Sequence, residues 1–183
     1  MPYTGFYHYE RYLLGNKSSL DELVRTYSDS LTRYAYCYLN DSAAAEDVME
    51  ETIATLIVKR KHFHDAAHFH AYLYKVARNK SIDYLRRRGK QIPLEDIEEL
   101  ITSDNLEESV MKKERNRTIY VCMQKLPAQY REALYLSYFE GLSTEEVCQI
   151  MKKNTKQVYN LLARAKAALK EIFAKEGLTY ENI

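Results

Sequence analysis

Residues 142–169 read LSTEEVCQIMKKNTKQVYNLLARAKAAL, and the stretch predicts two helices joined by a tight polar turn. Ser143 suits a helix N-cap, Glu146 three residues on completes a capping box, and Leu142 with Val147 can staple it. Val147, Ile150 and Met151 give the first helix one apolar stripe. Lys152, Lys153 and Asn154 interrupt that stripe, and Asn154 or Thr155 can cap a second helix. There Val158, Leu161, Leu162, Ala165 and Leu169 recur at spacings of three and four and turn inward, while Lys156, Tyr159, Asn160 and Arg164 point elsewhere. This is the layout of a DNA-reading helix-turn-helix. Any helical hairpin carries two amphipathic segments, so the rest of the chain decides.

Immediately upstream, Pro127 fits the first turn of a helix that Gly141 ends, with Tyr130, Ala133, Leu134 and Tyr138 facing inward. A further helix, from about Val110 to Leu126, has Ile119, Cys122, Met123 and Leu126 as its later apolar stripe. Together these make a four-helix C-terminal domain. Before it, residues 91–109, QIPLEDIEELITSDNLEES, are short, acidic and weakly periodic, and read as a linker.

The N-terminal half is helical too. A capping box of Ser19 and Glu22 opens a helix through Leu20, Leu23, Val24, Tyr27, Leu31, Tyr34, Tyr38 and Leu39, which Asn40 and Asp41 end. A second helix from about Ser42 turns Val48, Ile53, Leu56 and Ile57 inward and gathers Glu46, Asp47, Glu50 and Glu51 in its first half. Such carboxylates favour a helix N-terminus, and they also form a negative patch open to a basic partner. A third helix, about Phe69 to Arg88, sets Leu73, Val76, Ala77 and Tyr84 on one stripe and Tyr72, Lys75, Asn79 and Arg86 on the other. Aromatic rings interleaved with cations suit single-stranded nucleic acid, where rings stack on bases and cations follow phosphates. A snorkelling basic surface has the same composition. His64 and His68, four apart, have no Cys nearby, and Asp65 and Glu51 complete no familiar ligand spacing, so no metal site is expected. The tyrosines at 3, 7, 9 and 12 and Phe6 read as an extra helix or arm on the first domain, with a partner-binding arm as the alternative.

Composition bounds the class. Among 183 residues there are 5 Gly and 3 Pro, which favours helices over sheet. Net charge is +1, yet residues 1–90 carry 14 Lys and Arg against 11 acids, residues 91–111 none against 7, and residues 112–183 13 against 8. Two modestly basic halves thus flank an acidic bridge. The absence of a long apolar run or a signal-like N-terminus points to the cytoplasm. Cys37, Cys122 and Cys148 read as reduced core thiols. The expectation is an all-α chain of two small helical domains joined by an acidic linker: an extension 1–17, a helical domain 18–90, the linker 91–109, a helix-turn-helix domain 110–175 and a tail 176–183.

The chain resembles the extracytoplasmic-function (ECF) type of bacterial RNA polymerase sigma factor over roughly residues 18–172. AEDVMEETIATLI looks like that family's polymerase-binding helix, FHAYLYKVARNKSIDYLRRR like its −10 segment, and LPAQYREALYLSYFEGLSTEEVCQIMKKNTKQVYNLLARAKAAL like its −35 domain. The resemblance implies that Asp47, Glu50 and Glu51 dock core polymerase. It implies that His64, His68, Tyr72, Tyr74, Lys75, Arg78 and Asn79 capture the melted strand, with Arg86, Arg87 and Arg88 on adjacent phosphates. Thr155, Lys156, Gln157, Tyr159, Asn160 and Arg164 would meet the duplex at the −35 element. It implies no catalytic residue, cofactor or membrane insertion, and it admits an anti-sigma partner. Four positions depart from the family: Glu50 stands where Gln is usual, Ile57 and Tyr72 where Trp is common, and Leu161 where Arg is frequent. The other reading is a helix-turn-helix regulator with a protein-binding N-terminal domain.

Overall fold

The computed structural model describes residues 4–88 and 114–177. Among the described residues eight α-helices follow in order: α1 (Thr4–Leu13), α2 (Ser18–Leu39), α3 (Ser42–Lys59), α4 (Ala66–Arg87), α5 (Glu114–Gln124), α6 (Ala128–Leu134), α7 (Thr144–Met151) and α8 (Thr155–Lys175), with a π-turn at Tyr135–Phe139 extending α6. No strand occurs among the described residues. The linker 91–109, the expected helix start at Val110 and most of the tail lie outside them.

Each helix of the first unit follows from its side-chain spacing. Leu23, Tyr27, Leu31, Tyr34 and Tyr38 form one buried row along α2, and Asn40 ends the helix in the left-handed conformation, its N–H donating to the Tyr36 carbonyl. The start of α2 differs from expectation. Ser19 is buried, and the Asn16 carboxamide does the capping, accepting from the Ser18 hydroxyl at 2.7 Å and the Ser19 N–H at 3.3 Å. Asp41 caps α3 and Asp65 caps α4 through their carboxylates.

The tyrosine-rich extension is α1, which lies on α2. The Tyr9 ring is fully buried and stacks on Phe69 at 5.1 Å, with Phe6 at 5.5 Å from the same ring. Its hydroxyl donates to the Lys61 carbonyl at 2.9 Å. Gly5 leaves room for the Tyr27 ring, which any Cβ at that position would strike. Arg60 ties the far end down, donating to the Leu13 carbonyl at 3.0 Å with its guanidinium over the Tyr12 ring.

In the second unit both expected N-caps of the hairpin are present as capping boxes, Ser143 with Glu146 and Asn154 with Gln157. Gly141, at φ 64°, turns the chain between the π-turn and α7. Val147, Ile150, Met151, Val158 and Ala165 are buried, and Leu161 packs against this core. Tyr138 was expected inward and is exposed, and Tyr135 is buried in its stead. The cause is the π-turn: the Glu140 N–H reaches back five residues to the Tyr135 carbonyl, and the extra residue rotates the following side chains off the α-helical stripe.

The two units touch. α4 packs on α7 and α2 on α6, and one apolar cluster runs through both. α4 is therefore buried along two sides, by Phe69, Leu73 and Ala77 on one and by Tyr74, Arg78 and Leu85 on the other.

Candidate nucleic-acid and polymerase interfaces

At the start of α4, Asp65 gathers the histidines. Its carboxylate accepts from the His68 backbone N–H at 2.9 Å, and the His68 and His64 rings lie at 2.8 and 3.3 Å. The backbone bond to His68, then the His68 ring, hold the Asp65 carboxyl well below the usual carboxylate range. His70 instead lies in the core, 2.6 Å from the Tyr27 hydroxyl. Among the described residues no group of three or more His, Cys, Asp or Glu is placed to hold a metal ion.

Beside this cap opens a cleft whose lining includes Lys61, Phe63, His64, His68, Tyr72 and Lys75, together with Gln149 of α7. The Lys61 ammonium sits 4.9 Å from the Tyr72 ring centroid, and Phe63 lies 5.1 Å from the same ring. Flat rings beside cations are what a splayed base and its phosphate need. Lys61 and Phe63 were not among the expected site residues. They precede the helix in KRKHFH, and only the fold brings that loop against Tyr72.

Tyr74 and Arg78 do not join this cleft. They occupy the opposite row of α4 and are 1 % and 5 % exposed. The Tyr74 hydroxyl donates to Glu140 at 2.5 Å, and Arg78 donates to Glu132 at 3.0 Å. Side chains three and four apart share a helix face, so residues 70, 74 and 78 follow one buried row while Lys75, Asn79 and Arg86 stay exposed.

At the other end of α4, Arg86, Arg87 and Arg88 are exposed. Arg88 reaches Asp41 at 3.3 Å and covers the Tyr84 ring, and Arg86 lies 3.6 Å from Asp83. Asp47, Glu50 and Glu51 of α3 line one groove with Lys80 and Arg87 of α4 and with Arg88, which caps its C-terminus, and Lys80 pairs with Glu51 at 2.9 Å. The acidic and basic surfaces, separate in the sequence, share one mixed-charge groove.

On α8 the whole expected set, Thr155, Lys156, Gln157, Tyr159, Asn160 and Arg164, is exposed. Gln157 is committed locally, its Oε1 accepting from the Asn154 N–H at 2.9 Å. The first turns of α8 thus present an aromatic, an amide and two cations, the donor and acceptor types that read base edges and phosphates.

Two family profiles match this chain in order, Sigma-70 region 2 over residues 8–91 and Sigma-70, region 4 over residues 116–169. The chain belongs to the sigma-70 family of RNA polymerase sigma factors, and within it to the ECF type. It is 29% identical over 158 residues to the ECF RNA polymerase sigma factor SigM of Bacillus subtilis, covering 85% of this chain and 95% of that one. To the RNA polymerase sigma-H factor of Pseudomonas aeruginosa it is 28% identical over 171 residues, covering 87% and 89%. Among solved structures, the sigma factor RpoE in complex with the anti-sigma factor NepR from Bartonella quintana matches with a TM-score of 0.67 at 21% identity, over 84% of this chain and 96% of that one. CnrH, solved with the cytosolic domain of CnrY, matches with a TM-score of 0.65 at 19% identity, over 94% and 98%. At such identities the two structures speak for the fold.

Proposed function

We infer that this chain is a promoter-recognising transcription initiation factor. It binds core RNA polymerase through the α3 carboxylates Asp47, Glu50 and Glu51, meets the −35 duplex with the N-terminal turns of α8, and takes the melted −10 strand in the α4 cleft. The observation that carries the reading is the pairing, in one chain of this family, of an exposed duplex-reading helix with a separate ring-and-cation cleft. A duplex binder alone has no use for the second.

On this reading residues 18–90 and 110–175 are the two functional domains. The chain works by binding and strand capture, with no catalytic step, and acts in the cytoplasm. No described helix is long and apolar enough to cross a membrane. An anti-sigma protein is a fitting partner, since two of the structural relatives were solved with CnrY and with the anti-sigma factor NepR. A plain helix-turn-helix regulator fits less well, because the first 91 residues would then carry a region 2 match without a use.

Competition tests the reading. Purified chain added to core polymerase already loaded with another sigma factor should displace it in proportion to concentration. Failure to displace it, with no association to free core, would overturn the assignment.

A further inference from the structure

Lys61, Phe63 and His64 reach the α4 cleft from the segment between α3 and α4, where residues 60–63 belong to no helix. Backbone outside a helix keeps one shape only where other groups bond to it. Two hydrogen bonds tie this segment to α1, across 52 and 47 positions of sequence: the Tyr9 hydroxyl donates to the Lys61 carbonyl at 2.9 Å, and Arg60 donates to the Leu13 carbonyl at 3.0 Å. The Leu13 carbonyl belongs to the last turn of α1, whose open carbonyls favour a cation. Arg60 itself stands in the left-handed conformation, at φ 44°. Residues with long side chains keep that conformation where their surroundings fix it.

We propose that Tyr9 is a positioning residue for the melted strand: its hydroxyl on the Lys61 carbonyl and its ring beside Phe63 hold the Lys61 ammonium and the Phe63 ring against Tyr72, so that α1 sets how tightly the cleft takes single-stranded nucleic acid. The proposal rests on the transcription reading above and deepens it at that same cleft.

The contacts run without a break from α1 to the cleft wall. The Tyr9 ring is fully buried, 5.1 Å from Phe69 and 5.9 Å from Phe63. Phe63 lies 5.1 Å from Tyr72, and the Lys61 ammonium lies 5.4 Å from the Phe63 ring and 4.9 Å from the Tyr72 ring. Among these rings a phenylalanine at residue 9 would fill the same space, so the hydroxyl is accounted for by the bond it makes to the segment. Lysine is a point charge on a flexible stem, and fixing its backbone removes part of the freedom that a phosphate contact would otherwise have to overcome. Tyr9 thereby acts on the strand through Lys61 and Phe63 and touches no nucleic acid itself.

The test compares the full chain with Tyr9→Phe, Lys61→Ala and the double variant, each joined to core polymerase. The probes are a promoter fragment single-stranded through the −10 element and a duplex fragment ending upstream of it. Tyr9→Phe should bind the single-stranded probe roughly two- to tenfold more weakly, the worth of one hydrogen bond holding the segment in place, and the duplex probe as the wild type does. Lys61→Ala removes a cation and should lower the salt slope on the single strand by about 0.7. Tyr9→Phe exchanges one neutral side chain for another, yet its slope should move toward the Lys61→Ala value, and the double variant should match Lys61→Ala alone. Hydrogen exchange on the free chain should rise several-fold at residues 60–64 in Tyr9→Phe and stay unchanged in α8. An unchanged slope, equal losses on both probes, a double variant with additive loss or unchanged exchange overturns the proposal. Should exchange rise at residues 60–64 while the wild type binds neither polymerase nor probe, the positioning holds and the transcription reading fails. If circular dichroism shows that Tyr9→Phe loses helix, Arg60→Met, which frees the segment at its other end, decides through the same exchange.

Discussion

The ring of Tyr9 stacks on that of Phe69, centroids 5.1 Å apart, so the extension before α2 and the first turn of α4 share one aromatic core. α4 carries the cleft proposed to take the melted strand, and α1 therefore braces that cleft although it contributes no residue to it. Tyr9→Ala should destabilise the protein by roughly 3–5 kcal/mol, the range for deleting a buried aromatic ring. Tyr9→Phe, which loses only the bond to the Lys61 carbonyl, should lose about 1 kcal/mol. Urea denaturation followed by circular dichroism measures both. Equal, small effects would mean that α1 is an unpacked arm.

The tyrosine-rich core sets a limit at alkaline pH. Burial, then neighbouring charge, pushes the Tyr9 phenol up to about 12 and those of Tyr34, Tyr74 and Tyr135 well above their ordinary value near 10. Folded-state values raised above the unfolded ones give stability that is complete below pH 10 and declines as pH rises above it, because only the unfolded chain can ionise these groups. The tyrosinate absorbance of these four buried rings should therefore appear together with the loss of helix content in one cooperative step above pH 10. Ionisation of all the tyrosines with helix intact would contradict the buried assignment.

Arg86 and Arg87 lie exposed at the end of α4. Arg86→Ala and Arg87→Ala should weaken open-complex formation, and each lost phosphate contact should lower the salt slope of binding by about one. Duplex binding at the −35 element should be unchanged. Band-shift assays on forked and on fully duplex promoter DNA separate the two effects, and equal losses in both would contradict the division between the two units.

On the proposed reading the exposed residues of α8 divide into base-reading and phosphate-facing ones. Asn160→Ala or Arg164→Ala should relax base preference at single promoter positions, costing about 1–3 kcal/mol each. Lys156→Ala should weaken all sequences alike. Binding to a randomised −35 library reads this directly, and a uniform loss for Asn160→Ala would remove it from the base-reading set.

Much of this architecture is written in local signals. The caps at Ser143 and Asn154 are three-residue patterns that need no tertiary context, and both form. Ser19 carries the same pattern with Glu22 and fails, because the Gly15–Asn16 turn delivers a better-placed carboxamide one turn earlier. Tyr138 misleads for a different reason: a single i to i+5 turn changes the helical period, and no side-chain spacing announces it. The family resemblance groups Tyr74 and Arg78 with Tyr72 and Lys75 as strand-capturing residues. Their partners, Glu140 and Glu132, lie 66 and 54 residues away, a pairing that only the packing of two units creates. For the same reason the carboxylates of α3 and the cations of α4 read as separate surfaces in the sequence and share a groove in the fold.

Promoter-dependent transcription tests the central claim most directly. Sigma-free core polymerase, supplied with this chain and a genomic promoter library, should yield RNAs that start at a defined subset of sites downstream of paired −35 and −10 elements, and none without the chain. Absence of any promoter-dependent RNA, together with absence of core association, would contradict the account.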